Sequence, residues 1–544
     1  MSAGWRGATR YDTVVIGGGH NGLVCAAYLA RAGQRVLVLE RREKVGGAAA
    51  TEEVWPGYRV SLLSYVVSLL RPAIVEELQL RRFGYHVYPL DPAYFMPFPD
   101  GRHLLYWEEL SRAAAEIARF SERDASALFD YDRTLGELVA LVRPLLDRIP
   151  PQLPPRRPAD LGAALGLGRQ LMRHSRTWAK LVDIMTMSVA DYLGQWFTDE
   201  AVKGALSPGG VIGAWAGPET PGTAYVLLHH RMGEAGGQRG GWGFVRGGMG
   251  ALSEVLSQSA RAFGAEVRTS APLSRVLTRA GRATGVALED GTEIGADRVM
   301  SSAHPVTTLL DMLGADKLPP ELVTELRRYR SRSGSAKVNL ALAELPDFRA
   351  LPGKELGPQH PEFIINPSLG YLQQAFDDAR SGIFSRSPML DCVIPTTKDD
   401  SLAPAGRHIL SCFVQYAPFD LKGSSWDQER ERLGDRVVEL LGEYAPNLPG
   451  AVLHRQVITP PDMEREFGLI GGSIFQGEMS LDQLFSFRPA PQAGAYRTPV
   501  PGLYLCGSGT HPGGGVMGAP GRNAARLVLT EERRRRWRTL GRSA

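Results

Sequence analysis

Cysteine is scarce in this chain of 544 residues: there are four, Cys25, Cys392, Cys412 and Cys506. No two form a CxxC pair, which excludes a dithiol redox motif and fits a reducing compartment. Cys25 and Cys506 fall in apolar stretches and read as small core residues. Long apolar runs are missing too. The longest, Val60–Leu70, is well short of the roughly 18 residues that a membrane-spanning helix needs. No secretory signal opens the chain, and only about ten residues precede the first apolar strand, too few for a usual transit peptide. The expected location is cytoplasmic, with the mitochondrial matrix as the alternative in a eukaryote. The formal charge is only +4, too little to argue for nucleic acid. Part of that excess sits in Arg533–Arg536, Arg538 and Arg542. This cluster reads either as a solvated tail or as a contact with anionic lipid or a protein partner. No HExxH motif, Ser/His/Asp set or paired-carboxylate signature stands out, so neither a metal site nor a hydrolytic centre is expected.

What is present begins at Thr13–Ile16, a short β-branched run that suits a buried parallel strand. Gly17, Gly19 and Gly22 follow at the GxGxxG spacing, with His20 and Asn21 inside the turn. The first glycine permits the tight turn. The second lets the backbone approach a pyrophosphate, and the third lets helix and strand pack closely. The helix from about Asn21 to Ala32 aims its N-terminal amides at phosphates, and Gly33 stops it. Val36–Leu39 is the second strand. Glu40 ends it, where a carboxylate accepts both hydroxyl hydrogens of a ribose. Strand, glycines, helix, strand and acid in this order point to dinucleotide binding, against a merely structural βαβ unit.

Further along, residues 107–147 show helical periodicity, and 149–158 form a stiff Pro-rich connector. Two or three helices are expected between Asp160 and Leu206. Trp178, Tyr192, Trp196 and Phe197 in that region fit core packing better than a ligand surface. Gly247, Gly248 and Gly250 open a helix from Met249 to Phe263, without the strands an independent nucleotide site needs. Short strands follow at Glu266–Arg268, Arg275–Thr278, Gly285–Asp290 and Asp297–Ser301. Residues 311–490 alternate strands and helices, and 471–475 with 482–489 are read as cavity lining. Near the end, an apolar strand leads into a glycine-rich turn holding Gly507, Gly509, Val516, Met517 and Gly518, then a helix to about Leu529. Several amides at such a turn suit an electron-rich acceptor. His511 is the best acid/base candidate, with a structural hydrogen bond as its alternative. His229 and His230 read as the start of a loop on the substrate side.

The strings Gly17–Val24, Glu40–Arg42, Gly46–Glu53, Ser68–Pro72, Tyr225–His230, Gly247–Leu252 and Leu503–Asn523 together resemble the phytoene desaturase-related flavoproteins. The resemblance runs over nearly the whole chain. It implies non-covalent FAD and an α/β fold: a Rossmann-like FAD-binding domain of the glutathione reductase type, discontinuous in sequence, with a mixed α+β substrate domain and a helical insert. The implied division gives the FAD domain residues 1–75, 231–310 and 491–530. The cap and substrate domain takes 76–230 and 311–490, and 531–544 is a basic tail. By the same resemblance, Arg41, Gly46 and Gly47 lie near the pyrophosphate, Leu273 abuts the adenine, and the amides of Val516–Gly518 meet the flavin N1/O2 edge. The implied activity is hydride transfer from an apolar, carotenoid- or lipid-like substrate to flavin N5, with an unidentified electron acceptor. The alternatives are a flavin-binding regulatory protein with little turnover and a redox-neutral flavin-dependent isomerase or hydratase.

Overall fold

The computed structural model describes residues 10–152, 155, 160–162, 165–166, 168–169 and 175–540. Half of the expected connector 149–158, and Arg542, lie outside the described residues.

Two seven-stranded sheets organise the chain. The first draws on three separated stretches. Its strands run in the order Glu266–Arg268, Val36–Leu39, Tyr11–Ile16, Glu293–Ser301, Arg282–Leu288 and Leu273–Arg279, and Leu503–Leu505 pairs with Glu293–Ser301. The registers Thr13↔Val36 and Val14↔Val299 are parallel. Parallel strands need crossovers, and helices cover the faces. Helices His20–Arg31, Met249–Ala262 and Ala519–Leu540 pack together on one face, so Val36–Leu39 is buried on both sides. This is a Rossmann-like α/β fold.

The second sheet runs Val452–Ile458, Ser335–Leu342, His408–Gln415, Met389–Val393, Glu362–Ile365, Tyr94–Pro97 and His103–Tyr106. Helix Trp426–Tyr444 covers one face, setting Leu433, Val437 and Leu440 against Val338, Cys412 and Val414. The other face looks into a cavity. Its two edge strands come from the stretch expected to be a helical cap, because Tyr94–Met96 and Leu104–Tyr106 are short apolar runs that fit strands. Helices Leu110–Ala118, Glu122–Leu146 and Ser175–Thr186 build the cap itself. Tyr131 packs edge-on against Trp196 and Phe197 in its core, with Tyr192 and Trp178 in the same cluster.

The C-terminal helix continues to Leu540, well past the expected end near Leu529. The start of the supposed tail is therefore a docked helix. Glu531 bonds to Arg497 and Tyr504, each at 2.8 Å, and Glu532 accepts from Gln34 at 3.0 Å. Among the described residues no helix is long and apolar enough to cross a membrane.

Candidate functional site

The two glycine-rich turns meet in space. Gly17 has φ +91°, and a Cβ there would stand 2.5 Å from Ser302 Oγ. At Gly22 a Cβ would come within 2.1 Å of the Gly17 carbonyl, so the helix touches the strand's end backbone to backbone. Gly19 differs: a Cβ there would meet only the Gly46 carbonyl, at 4.0 Å, and otherwise project into open space. Gly19 caps the helix with no side-chain partner, leaving the first-turn amides for an anion. Gly46 donates to the Gly18 carbonyl at 2.9 Å, which brings Gly47 beside Gly19. Glu40 lies at the rim, accepting from Gly18 N at 2.7 Å and Arg42 N at 2.9 Å. Each of its oxygens keeps a second lone pair. Arg41 and Leu273 also line this end. Three buried atoms here lack partners: His20 Nε2, Asn21 Oδ1 and Arg42 Nη1. Orphaned polar atoms around a bare backbone cradle fit a dinucleotide.

From the other terminus, Ser508 Oγ accepts from Asn21 Nδ2 at 3.0 Å. A Cβ on Gly521 would stand 2.1 Å from the Asn21 carbonyl, so the C-terminal helix crosses directly over the first. Gly515 and Val516 line the cavity. The other C-terminal residues expected there do not. Gly507 backs onto Ser302, and Gly509 onto Pro305. Met517 packs with Leu69 and Ala519, its amide bonded to the Gly515 carbonyl. A Cβ on Gly518 would meet Ile74 at 2.6 Å and Val24 at 3.2 Å. At these glycines the side a Cβ would occupy is filled by close packing.

His511 is likewise structural. Its Nε2 donates to the Leu145 carbonyl at 2.9 Å, its ring lies beside Phe485, and it is absent from the cavity wall. Burial lowers its pKa to about 4. His229 and His230 end the helix Thr223–His230 rather than begin a loop, because the whole segment is buried. His229 Nε2 donates to the Gly514 carbonyl at 3.1 Å and so anchors the C-terminal glycine turn. His230 Nδ1 shares its hydrogen between the carbonyls of Gly209 and Val226, at 2.8 and 3.0 Å. Only its other face looks into the cavity. Residues 482–489 do not line the cavity either: Arg488 is fully buried and donates to the carbonyls of Phe475, Glu478 and Ser508. Ile474 and Phe475 do line it.

The cavity, about 630 Å³, continues from Glu40 and Gly19 past Ser302 and His304 to the open face of the second sheet. Much of its far wall is apolar: Leu63, Leu206, Ile212, Leu227, Ile474 and Phe475. On the sheet face stand polar groups that sequence reading missed. Lys337, Phe413 and Asp391 are register partners across three strands. Lys337 Nζ lies 3.5 Å from the centroid of the Tyr65 ring and makes no hydrogen bond. Tyr65 donates to Asp391 Oδ2 at 2.6 Å. Burial lowers the Lys337 pKa to about 7, against the opposing pull of the neighbouring Cys412 and Asp391. Burial raises Asp391. Glu362 and Glu108 reach the same wall, and burial raises both carboxyls. The available signal was Lys337 and Asn339 interrupting an otherwise apolar strand.

Comparison with known proteins agrees with this geometry. Residues 22–529 match the family described as flavin containing amine oxidoreductase. The chain is 42% identical to pyridine nucleotide-disulfide oxidoreductase domain-containing protein 2 of Rattus norvegicus, over 96% of this chain and 94% of the relative. It is 28% identical to the lycopene-forming phytoene desaturase of Pantoea ananas, over 96% and 99%. The fold is that of cyclohexylamine oxidase from Brevibacterium oxydans IH-35A, with TM-score 0.55 at 16% identity, covering 96% and 99% of the two chains. The disulfide in the rat protein's name has no counterpart here. All four cysteines are free and buried, and none lines the cavity. With its fold, its glycine cradle and the family match running from one turn to the other, the chain belongs to the flavin containing amine oxidoreductases and is an FAD-dependent oxidoreductase.

Proposed function

We propose that this protein oxidises an apolar, carotenoid- or lipid-like substrate by hydride transfer to flavin N5. One observation carries the reading: a single cavity joins the dinucleotide cradle at Gly19 and Glu40 to a chamber walled by Leu206, Ile212, Leu227 and Phe475. FAD, when bound, supplies the two-electron acceptor. Glu40, the amides after Gly19 and the bare backbone of Gly47 would hold its ribose and pyrophosphate. The apolar wall orients the substrate and excludes water. Oxidation of a saturated carbon pair releases a proton along with the hydride. Lys337, buried, unbonded and with its pKa near 7, is a base poised to accept that proton at neutral pH. The four unpaired thiols favour a reducing compartment such as the cytoplasm.

The test is anaerobic mixing of the yellow holoprotein with a panel of terpenoid and lipid compounds. At least one should bleach the flavin with one product formed per flavin. Lys337→Met should slow bleaching by about 10²-fold or more while still binding the substrate. No bleaching by any panel member would remove hydride transfer. Turnover only after prior reduction, with no net acceptor consumed, would indicate an isomerase.

A further inference from the structure

The chamber is not uniformly apolar, and two acids stand on its wall. Glu108 and Glu362 both line it, and the buried Oε2 of Glu362 has no hydrogen-bond partner. Their nearness follows from the sheet. Glu362 opens the strand Glu362–Ile365, which pairs with Tyr94–Pro97, and that strand pairs with His103–Tyr106, just before Glu108. Tyr94 and Tyr106 stand opposite each other in the register, their rings stacked at 5.2 Å. Burial raises the Glu362 carboxyl, and the charges of Asp391 and then Glu108 push it the same way.

The nearby cations have hydrogen-bond or ring partners of their own, although the charge of Arg231 still acts on Glu108. Arg231 bonds to Asp132 at 3.0 Å, and Lys337 lies over the Tyr65 ring. Burial raises both carboxyls, with Arg231 opposing it at Glu108, and a carboxyl that keeps its proton donates one hydrogen bond and accepts others. A bare hydrocarbon would leave both acids unsatisfied, which is unfavourable in an apolar chamber. An ammonium group would require them ionised, and a carboxylate ligand would add like charge. A hydroxyl both donates and accepts, so it matches the pair.

We propose that Glu108 and Glu362 form a head-group site for a neutral hydroxyl, so that the chamber takes an alcohol-bearing apolar molecule rather than a bare hydrocarbon. This rests on the substrate chamber described under the proposed function and narrows its ligand class. Within that reading, the hydroxyl fixes which carbon of the chain faces the flavin end.

The test is calorimetric titration of the oxidised holoprotein with 1-octanol, n-octane and octylammonium. Octanol should bind about tenfold more tightly than either of the others, the discrimination expected when a polar site loses its partner. Glu362→Leu and Glu108→Leu should each remove that preference and bring octane level with octanol. Glu362→Gln, which still donates and accepts, should keep it. Should a leucine variant fail to fold, the ranking on the unaltered protein decides alone. Equal binding of octane and octanol, tighter binding of octylammonium, or no heat with octanol would each overturn the proposal. The probes need no turnover, so the two readings fail separately. Octanol ranking first beside an unbleachable flavin removes hydride transfer and leaves the head-group site standing. Bleaching by a hydrocarbon with no octanol preference does the reverse.

Discussion

Gly19 and Gly22 stand three positions apart and have opposite tasks. Gly22 is needed by the fold, because a Cβ there meets the Gly17 carbonyl at 2.1 Å. Gly22→Ala should therefore destabilise the protein by about 1–3 kcal/mol or more, as overpacked sites do. Gly19 is proposed to be needed by the ligand. Its φ of −69° suits any residue, and its Cβ would have only the Gly46 carbonyl nearby. Gly19→Ala should melt within a few degrees of the parent as apoprotein yet retain little FAD. The flavin-to-protein absorbance ratio after gel filtration reads this directly. Glu40→Ala should also lose FAD, since it removes the carboxylate proposed to hold the ribose and the anchor for the amides of Gly18 and Arg42. Undiminished flavin in both variants would show that the cofactor lies elsewhere. Gly518→Val presses on Ile74 and Val24, so it should lower stability while leaving the flavin spectrum alone.

At the scale of elements, the sequence was most legible where a pattern had one meaning. The strand Tyr11–Ile16, the helix after it and Glu40 could be read because a buried parallel strand, three glycines and an acid constrain each other. The helix Trp426–Tyr444 was legible end to end through its single apolar stripe. Legibility failed where partners lie far away in the chain. Lys337 sits on a fully buried strand, but alternating polar residues in a strand ordinarily mark the solvent side. Here that side is a cavity floor, which only the folded sheet reveals. Residues 530–540 failed for another reason: they have no apolar stripe, so hydropathy ends the helix at Leu529. The helix continues because Arg and Glu are good helix formers and because Glu531 and Glu532 reach Arg497, Tyr504, Gln34 and Arg298. These partners are largely shielded from water. Replacing both glutamates with alanine should lower the melting temperature by about 1–3 °C. It should also raise amide exchange in the last turns of the helix. Unchanged exchange there would mean that helix propensity alone holds the segment.

For the whole molecule, the buried histidines set the acid limit. Seven of the eleven histidines have lowered pKa values, all chiefly through burial: His20, His229, His230, His304, His360, His408 and His511. His20 and His511 fall to about 4, and His229 and His304 to about 3. Unfolding returns each to about 6.5, so below that pH the unfolded chain binds protons the folded chain refuses. The stability these imidazoles contribute is therefore full above pH 6.5 and drains away as pH falls toward 4. Raised carboxyls oppose this, because the folded chain keeps protons on Glu108, Asp311, Glu362 and Asp391 that the unfolded chain gives up. The four histidines that fall to about 3 or 4 refuse protons through this whole window, and the lowered acids such as Asp462, held to about 2 by Arg430 and Thr459 against the cost of burial, add to acid loss below pH 4. The melting temperature should fall steadily from pH 6.5 to 4.5, with net proton uptake on unfolding at pH 5.5. His304→Gln should shallow that slope, since His304 bonds only Ser331 and the Val306 amide and a glutamine can donate and accept there without titrating. A flat profile across this window would mean that these imidazoles already meet water in the native state.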